Sequence, residues 1–327
     1  MIDQASKITL TSRTYINTSL GPAAKQICEL TDYDKFLPCS SGVEACEAAV
    51  KLARRWGYTV KGVPDNHANI LMANGVFWGR SITASGACSD PARSKLFGPF
   101  TPGFPLVDFG DAGLVEDYLK KDKNCVAVML EPIQGEGGVV VPDDSYLADV
   151  KFLCEKYNTL LVCDEVQTGL GRTGKLLAQR WSLEPVGKKA DITVLGKALS
   201  GGFGPASGIL ADRAVMDEIK VGEHGSTFGG NPLSMAIMRA ALDVLVDEKL
   251  VENSLNMGSL LQAKFKELNS PMVRNVRGKG LMQCIEIERD SKVTGHDFCQ
   301  ILVNNRVLTK ATKDYSCRFT PPLVINE

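Results

Sequence analysis

The chain has 327 residues, more than one hydrophobic core usually supports, so a large domain with a smaller companion is expected. Its 37 Lys and Arg offset 38 Asp and Glu, which leaves no net field to steer it onto nucleic acid or an anionic membrane. No apolar run approaches the roughly 20 residues that span a bilayer, and the first residues show no signal-peptide pattern.

The chain opens into a helical stretch and a loop rich in threonine and serine. Ser40-Ser41-Gly42-Val43-Glu44 then starts a helix with Ala45, Ala49, Leu52 and Trp56 on its apolar face. Free backbone N–H groups at such a start bind anions, phosphate above all; the plain alternative is that serine only caps the helix. Apolar runs at residues 69–73, 126–130, 160–163 and 192–195, with 208–211 as a fifth, read as strands, and residues 146–157 read as a helix between two of them. This alternation predicts an α/β fold, a mostly parallel central sheet flanked by helices. Ligands of such sheets gather beyond the carboxyl ends of the strands.

The unusual polar residues fall at those ends. Gly75-Val76-Phe77-Trp78-Gly79-Arg80 follows the first run, and Phe77 there either stacks on a planar ring or is a core aromatic. Glu131 follows the second run and Glu136 lies in the glycine-rich turn after it, where turn chemistry alone also accounts for them. Asp164 comes next after the third run. A buried carboxylate there needs a cation, which a protonated pyridine nitrogen or Arg172 would supply equally well, and Gln167 is placed to hydrogen-bond a ring substituent. Lys197 follows the fourth run. Burial would lower its pKa, and a neutral amine forms Schiff bases with carbonyls, although most lysines are surface residues. Thr227, in a loop rich in hydrogen-bonding groups, is either a phosphate ligand or part of a cap for the next helix.

Beyond residue 231 the texture changes. Helical patterns at 232–250 and 251–268 lead to a strand candidate at 283–287, so residues 1–240 are read as the large domain and 241–327 as a small α+β domain. The ten cysteines are scattered without CxxC spacing and read as free thiols in a reducing compartment. The three histidines are far apart and suggest no metal site.

Taken together, DEVQTGLGRTG and the lysine of LGKALSGG resemble the signature of the class III aminotransferases, fold-type I enzymes that use pyridoxal 5′-phosphate. RRWGYTVKG, FWGR, FGPFTPGF, EPIQGEGGVVVP, VGEHGSTFGGNP, VRGKGL and RFTPPLVI are similar to the ornithine-directed members of that family, over nearly the whole chain. The resemblance implies transfer of the δ-amino group of L-ornithine to 2-oxoglutarate. The alternatives are acetylornithine or 4-aminobutyrate as donor, or an inactive fragment.

By resemblance, Lys197 is the Schiff-base lysine and proton carrier. Asp164 pairs with the pyridine nitrogen, Gln167 contacts the ring oxygen and Phe77 stacks on the ring. Ser41, Gly42 and Val43 hold the phosphate, and Glu131 belongs to the cofactor pocket. Thr227 reaches the cofactor phosphate of a partner subunit, which implies a homodimer. Arg318 takes the α-carboxylate of glutamate or 2-oxoglutarate, Glu136 masks Arg318 when ornithine is bound, and Arg80 takes the second carboxylate. The family also has an upstream segment with tyrosines that contact ornithine, and C-terminal helices. Neither is found in this sequence, so a truncated chain is expected, in which the large domain lacks its N-terminal part and the small one is incomplete. The expected compartment is the cytoplasm, with the mitochondrial matrix as the alternative.

Overall fold

Two sheets organise the chain in the computed structural model, which describes residues 1–290 and 292–327. The larger is built from β1 (Lys35–Cys39), β2 (Asn69–Ala73), β3 (Leu106–Val107), β4 (Cys125–Leu130), β5 (Leu160–Asp164), β6 (Ile192–Leu195) and β7 (Ser207–Ala211). Its strand order is β1-β7-β6-β5-β4-β2-β3. The strands from β3 across to β6 pair in parallel, while β7 lies antiparallel between β6 and β1. Each of the five apolar runs forms a strand of this mostly parallel sheet, as their alternation with helices predicts.

The sheet is buried on both faces, which is why its strands read as continuous apolar runs rather than alternating ones. In β5, Leu160 and Val162 face a core shared with the helix Gly42–Trp56, through Ala45, Ala49, Leu52 and Trp56. Leu161 and Cys163 point the other way, onto Val150 and Cys154 of the helix Tyr146–Lys156 and onto Val115 and Leu119 of the helix Ala112–Lys121. Fully burying such a Val or Leu contributes about 1.5–3 kcal/mol. A third core joins Ile27 of the helix Leu20–Thr31 to Leu195, Leu210 and Met235, Met238 and Leu242 of the helix Pro232–Asp247.

The helix Pro232–Asp247 carries the chain past residue 240 toward the second sheet, and the helix Leu250–Glu267 follows. That sheet contains β8 (Val273–Lys279), β9 (Met282–Ile287), β10 (Lys310–Lys313) and β11 (Ser316–Phe319). They run antiparallel in the order β10-β11-β9-β8. Arginine side chains help to tie it to the loops of the large sheet. Arg172 donates to the carbonyls of Leu281 (2.9 Å) and Pro321 (2.7 Å), and Arg277 donates to that of Gly138 (2.7 Å). Among the described residues no helix is long and apolar enough to cross a membrane.

Candidate active site

The carboxyl ends of β4, β5 and β6, with the loop after β2, enclose a cavity of about 200 Å³. Gly42, Val43, Phe77, Glu131, Glu136, Asp164, Gln167 and Lys197 all line it. A larger cavity of about 920 Å³ continues from Gln167, Lys197 and Arg318 toward Leu245 and Leu323.

Asp164 closes β5 and is buried. One carboxylate oxygen accepts the Val166 N–H at 3.0 Å, and the other accepts the Cys46 thiol at 3.5 Å. Among the described residues it forms no ion pair, since Arg172 is engaged with carbonyls at the junction of the two sheets. Burial raises its pKa, against the opposing pull of the Val166 amide, Lys197 and Cys46. A buried carboxylate that ends a strand beside a cavity, with no cation of its own, suits a ligand that brings one.

Lys197 begins a short turn just beyond β6, with a φ of +39°. A side-chain-bearing residue in that left-handed region is strained, and such strain concentrates at functional sites. Its side chain opens onto the cavity and is exposed. The walls of the cleft lower its ammonium pKa, opposed by Asp164 and Glu131, with Arg318 adding to the lowering. Because the side chain is open to water, solvent screens part of this, and the amine is biased toward its neutral form rather than fixed in it.

Glu131 is buried, and its two oxygens accept the N–H groups of Phe77 (3.0 Å) and Gly135 (2.9 Å). It thereby ties the loop after β2 to the loop after β4. Burial, then the neighbouring Asp164, pushes its carboxyl up to about 8. The Phe77 ring is half-buried, with the Arg93 guanidinium 4.8 Å from its centroid. Gly79, at a φ of +141°, lets this loop close on the start of the helix Gly42–Trp56: a Cβ there would lie 2.2 Å from a Val43 methyl.

At that helix start Ser41 is the N-cap. Its hydroxyl accepts the Glu44 N–H, while the Glu44 carboxylate accepts the amides of Ser40 and Ser41. The Gly42 and Val43 amides have no protein partner among the described residues, so the serine cap leaves two N–H groups open to an anion.

Arg318 reaches the site from β11. It donates to Glu136 at 2.8 Å and to Gln167 at 3.0 Å, and its buried Nε is left without a partner. Arg80 and Thr227 are exposed and lie outside the cavity around Lys197. Cys46, which the sequence reading passed over, lines the cavity and touches Asp164. The signal was its position one helical turn beyond Gly42, on the same face.

Comparison with known proteins accords with this geometry. The aminotransferase class-III family model matches residues 1–327. A probable mitochondrial ornithine aminotransferase of Caenorhabditis elegans is 53% identical over 325 residues, which is 99% of this chain and 75% of that protein. The crystal structure of ornithine aminotransferase from Toxoplasma gondii superposes with a TM-score of 0.96 at 42% identity, covering 100% of this chain and 77% of that one. That of acetylornithine aminotransferase from Elizabethkingia anophelis gives a TM-score of 0.87, also at 42% identity, covering 100% of this chain and 79% of that one. With lysine and carboxylate at the strand ends and the family's pattern running through the whole chain, this protein belongs to the class III aminotransferases.

Proposed function

We propose that this chain transfers the δ-amino group of L-ornithine to 2-oxoglutarate, using pyridoxal 5′-phosphate, as a homodimer. The observation that carries the choice of substrates is the Arg318–Glu136 pair at 2.8 Å, which adjoins Lys197. One partner substrate has two carboxylates and the other has one. An arginine that a nearby glutamate can cover or release serves both.

The residues fit the cofactor. The Gly42 and Val43 amides, with Ser41, offer an anion site for its phosphate, and the buried, cation-free Asp164 offers a counter-charge that keeps its ring nitrogen protonated. Phe77 and Gln167 line the same cavity and would flank the ring and meet its oxygen, and Glu131 holds the Phe77 loop in place. When bound, pyridoxal phosphate supplies a carbonyl that accepts an amino group and a ring that withdraws electrons. Lys197 provides the amine that holds the cofactor and carries the proton at the substrate carbon bearing nitrogen. Arg318 binds the α-carboxylate of the dicarboxylic substrate, and Arg80 binds the second one. Thr227, exposed and outside the cavity of its own subunit, would meet the cofactor phosphate of the partner. Both half-reactions use one site, so the kinetics are ping-pong.

The test is to mix purified protein with pyridoxal phosphate and compare rates with ornithine, N-acetylornithine and 4-aminobutyrate. A yellow holoenzyme that loses its colour on Lys197→Ala and prefers ornithine is expected. A clear preference for the acetylated donor would sink the assignment in favour of the second reading, which the equal identity to the acetylornithine enzyme supports. All ten cysteines are free, which suits a reducing compartment, the cytoplasm or the mitochondrial matrix.

A further inference from the structure

Lys310 and Arg318 stand directly opposite one another in the antiparallel pair β10–β11. Like charges in opposed register repel. Here one carboxylate lies between them: Glu136 Oε1 accepts from Arg318 Nη1 and Oε2 accepts from Lys310 Nζ, each at 2.8 Å. The two cations differ in setting. The Arg318 side chain is 10% exposed and the Lys310 side chain 59%. Burial works against the charge on Glu136, but Lys310 and Arg318 together outweigh it and hold its carboxyl down to about 2. With both cations in place, Glu136 is held in its ionised form.

If Arg318 turned to a substrate carboxylate with no Lys310 present, Glu136 would be left in the wall of the site as a carboxylate without a cation, close to the one arriving. Both the lost pairing and the repulsion between carboxylates oppose that state. With Lys310 present, Glu136 keeps its second partner, and only the Arg318 half of the bridge is exchanged. We infer that Lys310 is a specificity-determining residue. It holds Glu136 aside while Arg318 binds the dicarboxylic substrate, and so favours 2-oxoglutarate over a donor that leaves the Arg318–Glu136 pair intact. This rests on the substrate assignment above. The β10–β11 register fixes Lys310 beside Arg318.

The experiment compares wild-type holoenzyme with Lys310→Gln, Lys310→Arg, Glu136→Gln and the double variant Lys310→Gln/Glu136→Gln. It reads kcat/KM for each substrate and equilibrium binding of glutarate, which has both carboxylates and no reactive carbonyl. Lys310→Gln should lower the ratio of kcat/KM for 2-oxoglutarate to that for ornithine about three- to fivefold, the scale of a partly exposed ion pair, and weaken glutarate binding equally. Lys310→Arg should restore most of both. In the Glu136→Gln background, Lys310→Gln should have little further effect. Equal losses for both substrates, or a Lys310→Gln effect that persists without the Glu136 charge, would overturn the inference and leave Lys310 a general source of positive potential. If the wild-type protein turns over neither substrate, the assignment of function fails. The Lys310 inference is then decided by glutarate alone, and equal affinity for wild type and Lys310→Gln overturns it.

Discussion

Asp164, the last residue of β5, is registered against Val194 of β6, three residues before Lys197. The register brings a carboxylate and an amine from neighbouring strands to one edge, where Lys197 acts on Asp164 only at a distance and Asp164 forms no ion pair among the described residues. Its pKa is raised by burial, so the ionised form is a cost to the apoprotein that a ligand cation removes. Asp164→Asn should therefore unfold at a higher urea concentration than wild type when both are free of cofactor near pH 8. The same variant should lose about a hundredfold or more in turnover with ornithine. An apoprotein made less stable by the change would mean that Asp164 has a structural role instead.

Glu131 makes stability depend on pH. Its carboxyl rises from an ordinary 4.5 to about 8 in the folded apoprotein, with burial as the first cause. The folded state thus keeps a proton that the unfolded chain gives up. This contribution is fully present below about pH 4.5 and is lost as pH rises through about 8. Urea midpoints of the apoprotein should fall between pH 5 and 8.5, and the fall should be shallower in Glu131→Gln. Parallel profiles for the two proteins would show that some other group titrates.

The sheet was legible because burial on both faces makes β4, β5 and β6 unbroken apolar runs, and the residues that follow them, Glu131, Asp164 and Lys197, stood out against that background. β1 was not legible. It is an edge strand that contains Pro38, and its pairing with β7 joins residues far apart in the chain. β8 and β10 are edge strands broken up by Arg274, Arg277 and Lys279 and by Lys310 and Lys313, so no apolar pattern marks them. Within the site, the alternatives left open at Asp164 and Ser41 needed three dimensions. Arg172 turned out to hold the second sheet, and Ser41 caps its helix while leaving two amides open. Lys310 carried no signal in the sequence, because its importance comes only from its register with Arg318.

Gly135 lies under Gln167. A Cβ on it would come 1.9 Å from Gln167 Oε1, the atom that accepts from Arg318 at 3.0 Å. The obstacle is the free end of a flexible side chain, so Gly135→Ala should fold, with a loss within about 1 kcal/mol. Gln167 must swing away, and Arg318 loses an acceptor that aims it. The KM for 2-oxoglutarate should rise about tenfold, the worth of one hydrogen bond to a charged group at the low end of its range. An unaltered KM would show that Gln167 does not position Arg318.

Arg277 on β8 joins the second sheet to the turn that carries Glu136. It pairs with Glu286 at 2.5 Å and donates to the carbonyls of Gly138 (2.7 Å) and Val139 (3.0 Å) and to the Ser316 hydroxyl (3.1 Å). Arg277→Met would keep the apolar stem and remove the fork. Among the described residues, Glu286 would retain Arg274 at 4.0 Å and Arg289 at 3.6 Å as cationic partners. A loss of about 1.5–3 kcal/mol in urea unfolding is expected, from charge-assisted hydrogen bonds in a partly buried setting. Arg277→Lys restores the charge but cannot reach both the carbonyls and Glu286, so it should recover less than half of that loss. Full recovery with lysine would mean that the charge alone matters here, and that the turn bearing Glu136 is held by other contacts.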